Sequence, residues 1–223
     1  MNKADAIRIV HRAVKQYEEE LRRHKYLILY GDLSAPAGIE VIFGEKNFFH
    51  LTGVELNKDH ILRDVKDKTS NPNLVFYQKA YRQKLTPKDF EFRRDGTTVQ
   101  KLNVLCNAVN IMKNAKMIGD FNGGRPKLQS DKIAGGVKSC VGLVKSGSYY
   151  VPNTVLATDT RDEVKLAERV LGILCGDYKE PYSTVSYIAK GIDRKKLLLS
   201  VNGQYDIEEK MLHIDEEPIG NTL

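Results

Sequence analysis

The chain has only three cysteines in 223 residues, Cys106, Cys140 and Cys175, spaced about 35 residues apart. That excludes a disulfide framework and the closely paired thiols of a zinc site. Each lies in an apolar context, so buried free thiols are expected. The five histidines, His11, His24, His50, His60 and His213, are equally scattered, and neither a metal centre nor another cofactor is expected. No apolar run approaches the roughly 18 residues needed to cross a bilayer. The N-terminus reads as a charged amphipathic helix without the apolar segment of a signal peptide, and a cytoplasmic protein with no membrane attachment is expected. Motifs of the common enzyme classes are missing as well. Asn122-Gly123-Gly124-Arg125 runs into Pro126 and lacks the Gly-Lys-Ser/Thr ending of a phosphate loop, so it reads as a tight turn. No Gly-x-Ser-x-Gly elbow occurs, and no cysteine keeps the local sequence of a thiol protease.

What is present is a polar, basic chain with enough apolar residues, 41%, for a substantial core. The net charge is +6, but residues 201–223 hold six acids and one base, which leaves +11 on residues 1–200. A body of that sign attracts polyanions, of which nucleic acid is the commonest inside cells. A solvated basic surface would carry the same charge without any such partner.

The pattern predicts a helix over residues 2–23, capped by Asn2 with Asp5 in its first turn and striped by Ile7, Val10, Val14, Tyr17 and Leu21. Tyr26–Tyr30 and Ile39–Phe43 read as a hairpin. Short helices are expected over 57–67 and 73–84, and a stronger one from a Thr97 or Thr98 cap through Leu102, Leu105, Cys106, Val109 and Met112. Lys101 borders that stripe, where a lysine commonly lays its stem on the core and reaches water. Extended segments follow at Met117–Phe121, Val137–Val144 and Tyr149–Leu156, the last with Tyr150 and Thr154 on one face. Residues 162–175 read as a helix, and Ser183–Ala189 and Lys196–Val201 as strands, the latter ending in an Asn202-Gly203 hairpin turn. Helices mostly precede strands, so the expected class is α+β, with N-terminal helices packed on an antiparallel β-sheet. One domain over 1–200 with an acidic C-terminal segment over 201–223 is expected.

The candidate chemistry centres on Phe48-Phe49-His50-Leu51-Thr52-Gly53, a histidine at an expected junction between elements. A lone histidine on an apolar turn is commonly a hydrogen-bonded core residue, but its near-neutral pKa also suits proton transfer. With Thr98-x-x-Lys101-Leu102, Ile118-Gly119-Asp120-Phe121-Asn122 and Tyr150-x-Pro152-Asn153-Thr154, in this order, the chain over about residues 25–165 resembles one family. It is similar to the fourth family of phage-associated barnase–EndoU–colicin–RelE-like nuclease domains, found in bacterial mobile elements. The resemblance implies a compact fold of helices and antiparallel sheet, with a metal-independent ribonuclease site on the sheet face.

Such a site needs one group to take the 2′-hydroxyl proton, another to protonate the leaving 5′-oxygen, and donors for the charged phosphorane. His50 is the candidate acid or base and Lys101 the candidate counter-charge. Tyr150 and Thr154 are candidate donors to the phosphate oxygens. Thr52 is placed to orient His50 and, with Asn153 and Arg161, to contact substrate. The chain departs from barnase in offering no glutamate to match that enzyme's base, so histidine with lysine or tyrosine would have to serve. A tyrosine packing across strands and a β-branched threonine have ordinary structural uses too. RNA is the expected partner, tRNA being one candidate. A toxin-like enzyme of this kind would also need a protein inhibitor, or antitoxin. The alternative is a non-catalytic module of the same fold that binds nucleic acid or a protein partner, since electrostatic attraction requires no acid–base pair.

Overall fold

The computed structural model describes residues 1–213 apart from 64, 66, 68 and 125–127. The chain opens with α1, Lys3–Tyr17, whose Asn2 side chain accepts from the Asp5 N–H at 2.8 Å while Asp5 returns a bond to the Asn2 N–H. This reciprocal cap satisfies two donors that a helix start otherwise leaves open. A π-helical turn, Glu18–Arg22, carries the chain into β1, His24–Asp32, and β2, Ala35–Ile42. Next come α2, Glu45–Thr52, the short β3, Glu55–Leu56, and α3, Lys58–Ile61. Then α4, Pro72–Tyr81, β4, Phe90–Glu91, α5, Thr97–Ala108, and α6, Ile111–Asn114, complete the helical half. The second half holds β5, Met117–Asp120, β6, Lys132–Gly135, β7, Cys140–Ser146, and β8, Tyr149–Leu156. It ends with α7, Thr160–Glu163, β9, Glu168–Asp177, β10, Thr184–Ile188, α8, Arg194–Val201, and α9, Glu209–Leu212.

The sheet is not the open antiparallel one expected from the sequence. Strands run in the order β1-β2-β8-β7-β6-β5-β9, and β9 pairs back onto β1, which closes a seven-stranded barrel. Closure removes the unpaired edges that an open sheet exposes. All pairings are antiparallel except β2–β8, which run parallel and meet at one residue pair, Val41 opposite Tyr150. β10 lies outside the ring, sharing the far side of β9 with β5.

Strand β1 explains its own composition. Ile28 joins the main core, whereas Leu27 and Leu29 join a second cluster on the other face, so Tyr26–Tyr30 is apolar without alternation. The main core unites Val10, Phe48, Phe76 and Leu105 of the helices with Ile28, Val41, Leu143 and Val155 of the barrel. The second cluster sets Leu197, Leu198 and Val201 of α8 against Leu171 and Leu174 of β9.

Several expected elements are corrected. Residues 162–175 form the end of α7 and then β9, not a helix; the core takes Val170 and Ile173 on one face and Leu171 and Leu174 on the other. Lys196–Val201 is the body of α8, capped by Asp193, and Asn202-Gly203 ends that helix instead of turning a hairpin. The helix expected over 57–67 is the single turn α3, with 64 and 66 outside the described residues. Arg125 and Pro126 of the expected glycine turn, and Asp215, Glu216 and Glu217 of the acidic segment, also lie outside them. The expected boundary at residue 200 falls in the last turn of α8, and Ile207 and Met211 beyond it belong to the second cluster.

Candidate active site

His50 lies in the last turn of a helix, not at a junction. Gly44 precedes α2, its N–H bound by the Asn47 side chain at 3.1 Å, and Gly53 follows with φ of 68°. That left-handed conformation ends a helix most readily when the residue is glycine. A second constraint acts at the same place: a Cβ on Gly53 would stand 2.6 Å from Cδ of Lys101. The close approach lets α5 lay its lysine across the end of α2.

The start of α5 is fixed to the same spot. Gly96, not a threonine, occupies the cap position. The buried Thr98 hydroxyl donates to the Gly53 carbonyl at 2.6 Å and accepts from the Arg93 N–H at 2.9 Å. One turn later, Lys101 runs inward instead of reaching for water. Its Nζ donates to the His50 carbonyl at 3.2 Å and to Oγ1 of the buried Thr154 at 2.7 Å. Three elements, α2, α5 and β8, therefore meet at one amine.

The environment shifts both titrating groups in the same direction. Burial, then the nearby positive charge of Arg93, lowers Lys101 from the ordinary lysine range to about 8, with Asp95 opposing weakly. His50 is lowered by burial first and then by Lys101 and Arg93. Its Nε2 lies 3.3 Å from Nδ2 of Asn73, at the start of α4, and the Phe49 ring packs edge-on against the imidazole. A neutral imidazole accepts that amide proton and keeps its other nitrogen as a donor.

The remaining candidates stand further out. Thr52 is buried, its hydroxyl given to the Phe49 carbonyl at 2.8 Å, which finishes the helix end that carries His50. Tyr150 packs against the main core and has no hydrogen bond to His50 or Lys101 among the described residues. It does not share a face with Thr154. A bulge at Asn153 puts Tyr150 opposite Lys145 but Thr154 opposite Gly142, an odd step along β7. Asn153 itself donates to the Gln129 carbonyl at 2.7 Å. Arg161 is held by Asp159 at 2.6 Å in α7, which packs on β5 and β6, and is not brought to the group.

Three contributors lie outside the motifs read in the sequence. Asn73 holds the imidazole, Arg93 supplies the field, and Ser130 places a buried hydroxyl, with no hydrogen-bond partner among the described residues, beside Gly142 and across from the methyl of Thr154. Only the Arg93-Arg94 doublet carries any local cue, as a pair of like charges. Among the described residues no three His, Cys, Asp or Glu side chains converge to hold a metal ion.

A family model described as phage-Barnase-EndoU-ColicinE5/D-RelE like nuclease4 matches residues 9–196. No curated protein and no solved structure matches the chain.

Proposed function

Since the chain belongs to the phage-Barnase-EndoU-ColicinE5/D-RelE like nuclease4 family, we propose that it is an endoribonuclease that cleaves RNA without a metal ion, by attack of the neighbouring 2′-hydroxyl. The observation that carries this reading is the inward Lys101 amine, held between the His50 carbonyl and the Thr154 hydroxyl with a pKa of about 8. A merely structural lysine at a helix edge has no need of that desolvation.

His50, neutral near pH 7 because its pKa is lowered, takes the 2′-hydroxyl proton on Nε2, the hydroxyl displacing the Asn73 amide from that nitrogen. The 2′-oxygen then bonds to phosphorus and the bond to the 5′-oxygen breaks. Lys101, lowered to about 8 and so still protonated at pH 7, neutralises the phosphorane and gives its proton to the departing oxygen. The products are a 2′,3′-cyclic phosphate and a 5′-hydroxyl. Thr154 accepts from Lys101 and so keeps its own hydroxyl proton for a non-bridging oxygen. Thr52 and Thr98 act as positioning residues through the end of α2, and Asn153 borders the site on β8. A protein inhibitor, or antitoxin, is the further partner such an activity calls for.

Purified protein incubated with end-labelled total RNA in EDTA, from about pH 5 to about pH 9, tests the proposal. Cleavage leaving 2′,3′-cyclic ends is expected, and His50→Ala should slow it by roughly a hundredfold or more. Binding without cleavage at any pH would return the protein to the class of non-catalytic binding modules, and a His50→Ala variant that cleaves as fast as the parent would overturn the site.

A further inference from the structure

A second basic site lies on the far side of the barrel from His50. Strand β9 is three strands from β8 in one direction round the ring and four in the other. Against its outer end, Lys116, Arg169, Tyr187, Ile188 and Lys190 line a cleft of about 550 Å³. Lys116, Arg169 and Lys190 are all exposed, and none has an ion pair among the described residues. By contrast, Lys132 is matched by Asp120 and Lys113 by Glu20.

The three cations are not left to wander. The Arg169 guanidinium donates to the Lys190 carbonyl, which ties it to the backbone of a second cationic residue. Lys116 Nζ sits 4.0 Å from the centre of the Tyr187 ring, an arrangement that holds an ammonium in place without neutralising it. Like charges converging on one concavity repel each other, so the arrangement is stabilised by an anion. The half-exposed Ile188 and Tyr187 distinguish the cleft from a plain phosphate site, since they offer a surface to sugar or base.

We propose that this cleft is a second contact for the nucleic-acid strand, taking backbone phosphates at Lys116, Arg169 and Lys190 and apolar sugar or base surface at Ile188 and the Tyr187 ring. It rests on the ribonuclease reading for its biological use, but not for its test. The site captures RNA away from the chemistry, so its loss weakens binding without altering the reacting groups.

The test measures affinity of the catalytically silenced His50→Ala protein for a labelled single-stranded RNA across a salt series, which requires no turnover. Lys116→Gln with Lys190→Gln is compared with Lys195→Gln with Lys196→Gln, an equal loss of charge on α8. The cleft pair should weaken binding roughly tenfold and reduce the slope of log affinity against log salt by about 1.4, or 0.7 for each phosphate that is no longer neutralised. The α8 pair should do neither. Equal effects from both pairs would reduce the cleft to diffuse basic charge, and no effect from either would overturn the site. Inorganic phosphate, added at constant ionic strength, should compete weakly. Full competition would mean a small-anion site and overturn the assignment to a strand. In the parent protein the cleft pair should raise KM and leave kcat unchanged. Should the parent cleave no RNA, only this last comparison fails, and the binding result stands by itself.

Discussion

Lys101 shows how much a single side chain depends on what surrounds it. Its position next to Leu102 suggests a stem over the core and a head in water. The head instead turns to two oxygens because Gly53 leaves room for the stem and Thr98 ties the helix ends together. Nothing in the local pattern announces this, since both constraints come from a segment 45 residues earlier in the chain. The shifts predict a bell-shaped pH dependence of kcat/KM. His50 with its lowered pKa must be unprotonated to act as base, so activity should rise as pH climbs through a value below the usual histidine range. Lys101 must keep its proton, so activity should fall as pH passes about 8. Lys101→Arg, which stays charged at all these values, should abolish the alkaline fall and lower the plateau. A falling limb that persists in that variant would assign it to another group.

At the scale of elements, the segment between α3 and β4 is held by one buried carboxylate. Asp89 accepts from Lys79 Nζ at 2.8 Å and from the Thr86 N–H and hydroxyl at 2.6 and 2.9 Å, and lies 3.1 Å from His60 Nδ1. Burial raises its pKa, but Lys79, Thr86 and His60 together outweigh that and hold it below the usual carboxylate value. A folded pKa below the unfolded one contributes stability that is present above the unfolded value of about 3.9 and is lost as pH falls further. Acid unfolding should therefore shift toward neutrality in Asp89→Asn, and Asp89→Ala should cost about 3 kcal/mol at neutral pH by leaving Lys79 unpaired. Denaturant titrations at two pH values check both; equal losses at neutral and acid pH would deny the carboxylate its part. This staple cannot be read in the sequence, where Asp89 is one acid among many. The cap of α1 can be, because Asn2 with Asp5 satisfies donors within four residues. Local chemistry is visible locally, and convergence is not.

At the scale of the molecule, the ring is uneven. Strands β1 and β9 pair over seven residue pairs, from His24 opposite Asp177 to Tyr30 opposite Val170, whereas β2 and β8 meet at one. Native-state hydrogen exchange should find amides facing the β2–β8 seam at least about a hundredfold less protected than those of the β1–β9 ladder. Uniform protection round the ring would show that the helices brace the seam as firmly as a ladder does. The barrel itself is illegible in the sequence. Strands covered on both faces lose the alternation that marks them, which is why 162–175 reads as helical, and pairing partners far apart in the chain leave no local trace. The long helices α1 and α5, with their 3.6-residue stripes, are far easier to see.

The bulge in β8 has a consequence for Asn153. Take that residue out and Pro152 still faces Leu143 while Thr154 still faces Gly142, so the two strands would simply zip into a regular ladder. Every other deletion in the strand's interior moves neighbours onto new partners. Asn153 is thus the one position in β8 that pairing geometry does not require. Its worth to the molecule must lie in the amide that grips Gln129, and through it in where the adjoining Ser130 hydroxyl comes to rest.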